Sequence, residues 1–232
     1  MAVTIDLLKH FEVLSTLSEK SLESLAKQSI LRNFSRRAIV LSGGQPSEYL
    51  YFLFQGRLQG VDFTLDGREV GLYFVESGDF CGELSLFDNL GQPENVIALS
   101  KSQVVLMPYN AVRIAIQQSD QFVEKLFTRM ASRVRKLSAQ RALLGIPNTT
   151  ARVCGQLWMM LNDQSSVHSS EKIILNPPTH QELGIMLNLS RETVTRVFQT
   201  LQTKGIVKRD GNTRLVILDE SLLRGLSEST ES

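Results

Sequence analysis

The sequence predicts an α+β chain in three parts: a small antiparallel β-roll or sandwich behind a helical start, one long helix, and a helix-turn-helix with a wing. Three observations predict it. Between Arg37 and Pro108, short β-branched and aromatic runs are punctuated by glycine. From about Ser119 to Leu144, apolar residues recur at alternating spacings of four and three. Beyond Thr179, a capping pattern, a tight turn, a second capped helix and a hairpin follow in close order.

Composition narrows the function classes. A chain of 232 residues, 42% of them hydrophobic, suits two modest domains or one large one and can build real cores. The formal net charge is +1, so any polyanion binding must come from local clustering. Cys81 and Cys154 lie far apart and outside any CxxC pair, which argues against zinc, an iron–sulfur cluster or a disulfide framework. No apolar run approaches membrane-spanning length, and "MAVTIDLLKHFEVL" lacks a basic start and a cleavage site. A cytoplasmic protein with no membrane partner is expected.

At the start of the chain, Leu14, Leu17, Leu22 and Leu25 recur at near-helical spacing, with Ser18 and Ser21 as caps. The runs "AIVL", "YLYFLF", "RLQGVDF", "EVGLYFV" and "SQVVLM" read as strands, and "LDGRE" as a hairpin. Gly44, Gly56, Gly67 and Gly78 fall 11 or 12 residues apart, an interval that suits a small antiparallel roll or sandwich. In the long helix, Val123, Phe127, Met130, Val134, Leu137, Arg141 and Leu144 form an a/d seam with one charge in it. A helix of this length, polar on its other faces, is expected to serve its own domain and a dimer partner. "GIPN", Gly145 to Asn148, then breaks it and makes a hinge.

"TARVCGQLWMML" reads as an amphipathic helix with Val153, Leu157, Met160 and Leu161 inward and with Cys154 and Trp158 as core. A polar linker containing His168 leads to "KIILNPP". Thr179 and Glu182 form a capping box that opens a short helix to Leu187. "NLS" is a tight turn, Ser190 caps a second helix from Arg191 to about Thr203, and "GIVKRDGNTRLVIL" supplies two strands around Asp210 and Gly211. This is the helix-turn-helix layout with a wing, whose second helix lies in the major groove of DNA. Arg191, Glu192, Thr195 and Arg196 occupy that helix's exposed turns, while Val194, Val197 and Leu201 face inward. Arginine can donate two bonds to guanine O6 and N7, and glutamate can accept from cytosine N4. Ser190, Thr193 and the helix N-terminus suit phosphate oxygens. Lys204, Lys208, Arg209 and Arg214 add positive charge near the wing. Spacing alone leaves an ordinary solvated amphipathic helix equally open.

The motif "SRETVTR" after "QELGIMLNL" resembles the recognition helix of the CRP/FNR family of bacterial transcription regulators, specifically its cyclic-AMP receptor protein branch. "GDFCGELSLF" resembles that family's phosphate-binding cassette, and together the likeness covers almost the whole chain. It implies a cyclic-nucleotide-binding-type β-roll (jelly roll) as sensor domain at 1–118, a dimerisation helix at 119–145 and a winged helix-turn-helix at 146–232. It also implies a homodimer, with Val123, Phe127, Met130, Val134, Leu137 and Leu144 at the seam, that binds double-stranded DNA and works with RNA polymerase. In that family Arg191, Glu192 and Arg196 would read bases in half-sites resembling TGTGA. Thr179, Gln181, Ser190 and Thr193 would touch the DNA backbone.

For the cassette, the resemblance implies that Glu83 takes a ribose hydroxyl and that backbone N–H groups from Gly82 through Leu84 to Ser85 meet a cyclic phosphate. The family's cyclic-AMP binders continue with an arginine and a serine or threonine; allowing one extra residue near Leu90, Glu94 and Asn95 stand there. The threonine–serine pair that holds adenine becomes Leu137 and Ser138. Unit charges about 4 Å apart interact by roughly 1 kcal/mol in water and roughly 4 kcal/mol at a partly buried site. Repulsion in place of attraction at Glu94 therefore excludes cyclic AMP bound in the family's manner, unless Arg57, Arg68, Arg133 or Arg141 supplies the cation. Three expectations follow: another effector such as a cyclic dinucleotide, activity with no ligand, or a pocket held by its own side chains. A purely structural Glu83, capping backbone N–H groups, is the alternative to the ribose contact. No cofactor is required on any of these readings.

Other sensing chemistries find little footing. The family's oxygen sensors carry an N-terminal cysteine cluster, absent from residues 1–30. His10, His168 and His180 form no axial-ligand set and read as surface residues, and Cys81 reads as an inert core thiol. No paired carboxylates, nucleophile–base set or metal spacing suggests an enzyme, which leaves a nucleotide-binding module without a DNA role as the contrasting class.

Overall fold

The computed structural model describes residues 2–65, 67–164, 172–211 and 213–228; His168 and Asp66 of the hairpin signal lie outside them. The chain divides into two compact units, Met1–Val134 and Arg135–Ser232, so the division falls inside the long helix.

The first unit begins with α1 (Ile5–Leu8), capped by the Thr4 side chain, a 3-10 turn (Glu12–Leu14) and α2 (Glu19–Gln28). Ser18 caps α2 by accepting from the Ser21 N–H. Ser21 lies within the helix, and its hydroxyl donates to Gln118 at 3.0 Å. The strands are β1 (Ile30–Phe34), β2 (Ile39–Leu41), β3 (Tyr49–Gln55), β4 (Leu58–Phe63), β5 (Glu69–Val75) and β6 (Phe80–Cys81). The short helix α3 (Leu84–Asp88), β7 (Asn95–Ala98), β8 (Ser102–Pro108), α4 (Tyr109–Gln118) and α5 (Asp120–Leu144) follow. Two antiparallel four-stranded sheets result, in the orders β1-β8-β3-β6 and β2-β7-β4-β5.

Between the sheets, Tyr51, Leu53, Val104 and Leu106 of one pack on Leu58, Val75, Val96 and Ala98 of the other. The first sheet is also covered on its far side, where Leu50, Phe52 and Met107 meet Leu22 and Leu25 of α2, Val112 of α4 and Phe122 and Leu126 of α5. Burial on both faces is why "YLYFLF" is continuously apolar rather than alternating. At the predicted hairpin, Gly67 takes a left-handed φ of 79° and its N–H meets the Thr64 carbonyl at 2.8 Å.

In the second unit, Asn148 ends the "GIPN" break by accepting from the Thr150 and Ala151 N–H groups at the start of α6 (Thr149–Gln164). Cys154 is buried in α6, which pushes its thiol up to about 12, whereas Met160 and Trp158 are only half-buried. Then come β9 (Ile173–Leu175), α7 (His180–Leu187), α8 (Arg191–Thr203), β10 (Val207–Asp210), β11 (Arg214–Ile217) and α9 (Glu220–Glu228). The "KIIL" stretch, given no element from the sequence, contains a strand: β9 pairs with β11 and sets Ile174 opposite Leu215 in the order β10-β11-β9. Gly184 lets the α7–α8 turn close, because a Cβ there would stand 2.7 Å from the Leu189 carbonyl oxygen.

Candidate nucleic-acid interface and effector pocket

The capping residues set the two helices of the second unit. Thr179 accepts from the Glu182 N–H at 3.2 Å while Glu182 accepts from the Thr179 N–H at 2.8 Å, the full capping box. Ser190 accepts from the Thr193 N–H at 3.1 Å, and its hydroxyl meets that of Thr193 at 3.0 Å. Thr179, Gln181 and Ser190 are exposed and Thr193 half-buried. Val194, Val197 and Leu201 bury the inner face of α8. Its outer face forms an open concavity of about 420 Å³ lined by Arg191, Glu192, Thr195, Arg196 and Gln199. Glu192 is held below the usual carboxylate range by its own backbone N–H and the Ser190 hydroxyl, and then by Arg191 and Arg196. It therefore presents an ionised acceptor between two guanidinium donors. This arrangement can read base edges in a groove. Sequence reasoning had not singled out Gln199, one turn further along the same face.

His180 departs from expectation. It is half-buried, its ring 4.6 Å from that of Phe198 and its Nδ1 2.9 Å from the Thr195 hydroxyl.

In the first unit, the cassette residues are committed to one another. Gly82 takes a φ of 84°, with Tyr51 so close that a Cβ would stand 2.9 Å from its ring, and its carbonyl accepts from the Tyr109 hydroxyl. Glu83 is 4% exposed and stands at the N-cap of α3, where its side chain makes no cap hydrogen bond. Arg133 of α5 donates from Nη1 to Glu83 Oε1 at 2.5 Å and from Nη2 to the Phe80 carbonyl at 2.5 Å. Beside it, Arg129 grips Asp79 through two nitrogens. Ser85 donates to the Leu90 carbonyl at 2.5 Å and accepts from Gln92 Nε2 at 2.9 Å, while Leu84 is exposed.

Glu94 is 5% exposed and accepts from the Tyr73 hydroxyl. Burial raises its carboxyl above the usual range, opposed by that hydrogen bond. The Tyr73 ring lies under the Arg133 guanidinium, 4.8 Å from its centroid, and against Gly60, where a Cβ would stand 2.7 Å from the ring. Asn95 accepts from the Gly43 N–H at 3.0 Å. Arg57, another expected source of charge, pairs with Glu76 at 2.6 Å and covers Phe74. Cys81 is fully buried, and burial raises its thiol.

On α5, Phe127, Val134, Leu137 and Leu144 are 57%, 66%, 38% and 37% exposed, while Phe122 and Leu126 face the core. Val123 and Met130 are half-buried; Ser138 is exposed. Phe87 of α3 stacks on Phe127 at 6.2 Å.

Two family models match the chain: a cyclic nucleotide-binding domain over residues 31–119 and a Crp-like helix-turn-helix domain over 151–226. Joined in this order, they define a transcription regulator that couples a nucleotide-type sensor fold to a DNA-binding domain. The chain belongs to the CRP/FNR family, and it is a DNA-binding transcription regulator rather than an enzyme. It is 28% identical over 201 residues to the cAMP-activated global transcriptional regulator Vfr of Pseudomonas aeruginosa, covering 85% of this chain and 94% of that one. FixK2 from Bradyrhizobium japonicum superposes with a TM-score of 0.74 at 22% identity, covering 87% and 98% of the two chains. The c-di-GMP responsive global regulator CLP of Xanthomonas campestris superposes with a TM-score of 0.66 at 22% identity, covering 88% and 100%. Both superpositions speak to fold. Among the described residues, no helix is long and apolar enough to cross a membrane.

Proposed function

We propose that this protein is a homodimeric cytoplasmic regulator that recognises inverted repeats of TGTGA-like half-sites, recruits or meets RNA polymerase there, and does so without cyclic AMP. The observation that supports the reading is that the cassette side chains are committed to one another. Tyr73 fills space that Gly60 vacates, Arg133 neutralises Glu83, and Glu94 closes the set through the Tyr73 hydroxyl. A nucleotide that used Glu83 for its ribose would have to compete with Arg133 for that carboxylate, and Glu94 beside Tyr73 adds a carboxylate rather than a cation for its phosphate. Leu137, in the place of an adenine-holding threonine, offers no hydrogen bond in return.

DNA recognition rests on Arg191, Glu192 and Arg196 standing together on the exposed face of α8, with Thr179, Gln181, Ser190 and Thr193 at the helix starts as phosphate partners. Binding of a labelled TGTGA inverted repeat, with no nucleotide added, tests both halves of the reading. The Arg196→Ala variant should lose about 1–3 kcal/mol at the specific site and relax preference at one G·C pair. Equal losses on specific and scrambled duplexes would remove Arg196 from base reading.

A further inference from the structure

His180 opens α7, beside the capping residue Thr179, and joins it to the reading face of α8. The Thr195 hydroxyl donates to the Arg191 carbonyl at 2.9 Å, so its oxygen is free to accept from His180 Nδ1–H at 2.9 Å. Donor order along this relay assigns the imidazole tautomer: Nδ1 carries the proton and Nε2 holds the lone pair. Thr195 and Arg191 both line the reading concavity. The relay therefore connects a titratable ring to the backbone of the first base-reading residue, and the Phe198 ring packs on it with centroids 4.6 Å apart.

We propose that His180 is a positioning residue of the DNA-reading surface whose Nε2 takes up a proton when DNA binds, so that affinity for DNA is linked to pH. The inference rests on the DNA-reading role of α8 given above. In the free protein the neutral ring is favoured, first by burial and then by Arg209 of β10 and Arg191 of α8, which lower its pKa. Those two cations are the charges acting on it; Thr195 and Phe198 carry none, and the Glu182 carboxylate of its own helix is engaged with the Thr179 N–H. DNA phosphates reverse the balance, because their negative charge neutralises the arginines and favours the imidazolium. Protonation at Nε2 leaves the Nδ1 bond to Thr195 intact, so the brace and the added charge act together.

The sign follows directly. The bound complex holds a proton more firmly than the free protein does, so affinity rises as pH falls between the two pKa values and levels off below the free one. A difference of about one pKa unit corresponds to about tenfold in affinity per histidine.

Duplex binding by the full chain is measured by anisotropy from pH 8 to pH 5.5, and by calorimetry in two buffers of different ionisation enthalpy. The wild type should gain at least about threefold affinity on acidification and show net proton uptake at pH values between the free and bound pKa of His180. His180→Asn, which keeps a donor toward Thr195, should bind comparably at pH 8 and lose the proton uptake. Equal uptake by His180→Asn, or none by the wild type in the two-buffer comparison, would overturn the proposal. Loss of specific binding by the wild type at pH 8, where the ring is neutral in both states, would instead strike the DNA-reading role itself.

Discussion

Arg133 shows how one residue can decide the chemistry of a pocket. Its planar fork satisfies a carboxylate and a carbonyl at once, Glu83 Oε1 and the Phe80 oxygen, while its face covers Tyr73. Arg133→Ala would leave Glu83, 4% exposed, as an unpaired buried charge, at a cost of about 3–5 kcal/mol. Arg133→Lys should recover little of this, because an ammonium cannot present two parallel donors. Adding Glu83→Gln to Arg133→Ala should restore part of the loss by removing the stranded charge. Denaturant unfolding of the three variants reads these differences. If Arg133→Ala unfolded like the wild type, the Glu83 pair would contribute nothing to the domain.

Elements were legible in the sequence where they were long or strongly signalled, and hidden where they depended on distant partners. The strands in "YLYFLF", "RLQGVDF", "EVGLYFV" and "SQVVLM", the capping box at Thr179 and the bounds of α7 and α8 follow from local patterns. β6 has two residues and β9 three, too few for any periodicity, and both exist because a neighbouring strand pairs with them. β1 runs straight on from a helical pattern, and its pairing with β8 lies far along the chain. The candidate site divides in the same way. Arg191, Glu192 and Arg196 sit on one helix, where spacing placed them on exposed turns and the family resemblance assigned them base reading, whereas Arg133 meets Glu83 across 50 residues and Tyr73 meets Glu94 across 21. Likewise Glu94 was recognisable as a misplaced charge, but nothing local identified the tyrosine that keeps it. The α5 seam makes a prediction at this scale. Val134 and Leu137 are apolar and exposed on a helix whose opposite face is already buried, the distribution expected of a helix with a second partner. Val134→Glu with Leu137→Glu would set like charges across the two-fold, and sedimentation should show monomers that no longer bind the inverted repeat. A dimer persisting at micromolar concentration would reject the seam.

At the scale of the whole molecule, a formal net charge of +1 means that DNA affinity cannot come from a general basic field. On the proposed reading it comes from the local cluster around α8 and the wing, presented twice by a two-fold dimer to half-sites centred about 34 Å apart. Binding should therefore weaken steeply with salt, by a slope of about −0.9 for each phosphate neutralised in log–log form. The same binding should ignore cyclic AMP. A ligand held at one tenth of its dissociation constant stabilises the protein by only about 0.06 kcal/mol, below what a melting curve resolves. If Tyr73 and Arg133 occupy the cassette as proposed, cyclic AMP at micromolar concentrations should lie in that regime: no thermal shift, no calorimetric heat, and identical DNA titrations with and without it. A cyclic dinucleotide belongs in the same screen, because its phosphates need not use the Gly82 to Ser85 approach. Cyclic AMP that bound at micromolar concentration and tightened DNA binding would show that Arg133 and Tyr73 leave the pocket on demand, and the ligand-free reading would fall.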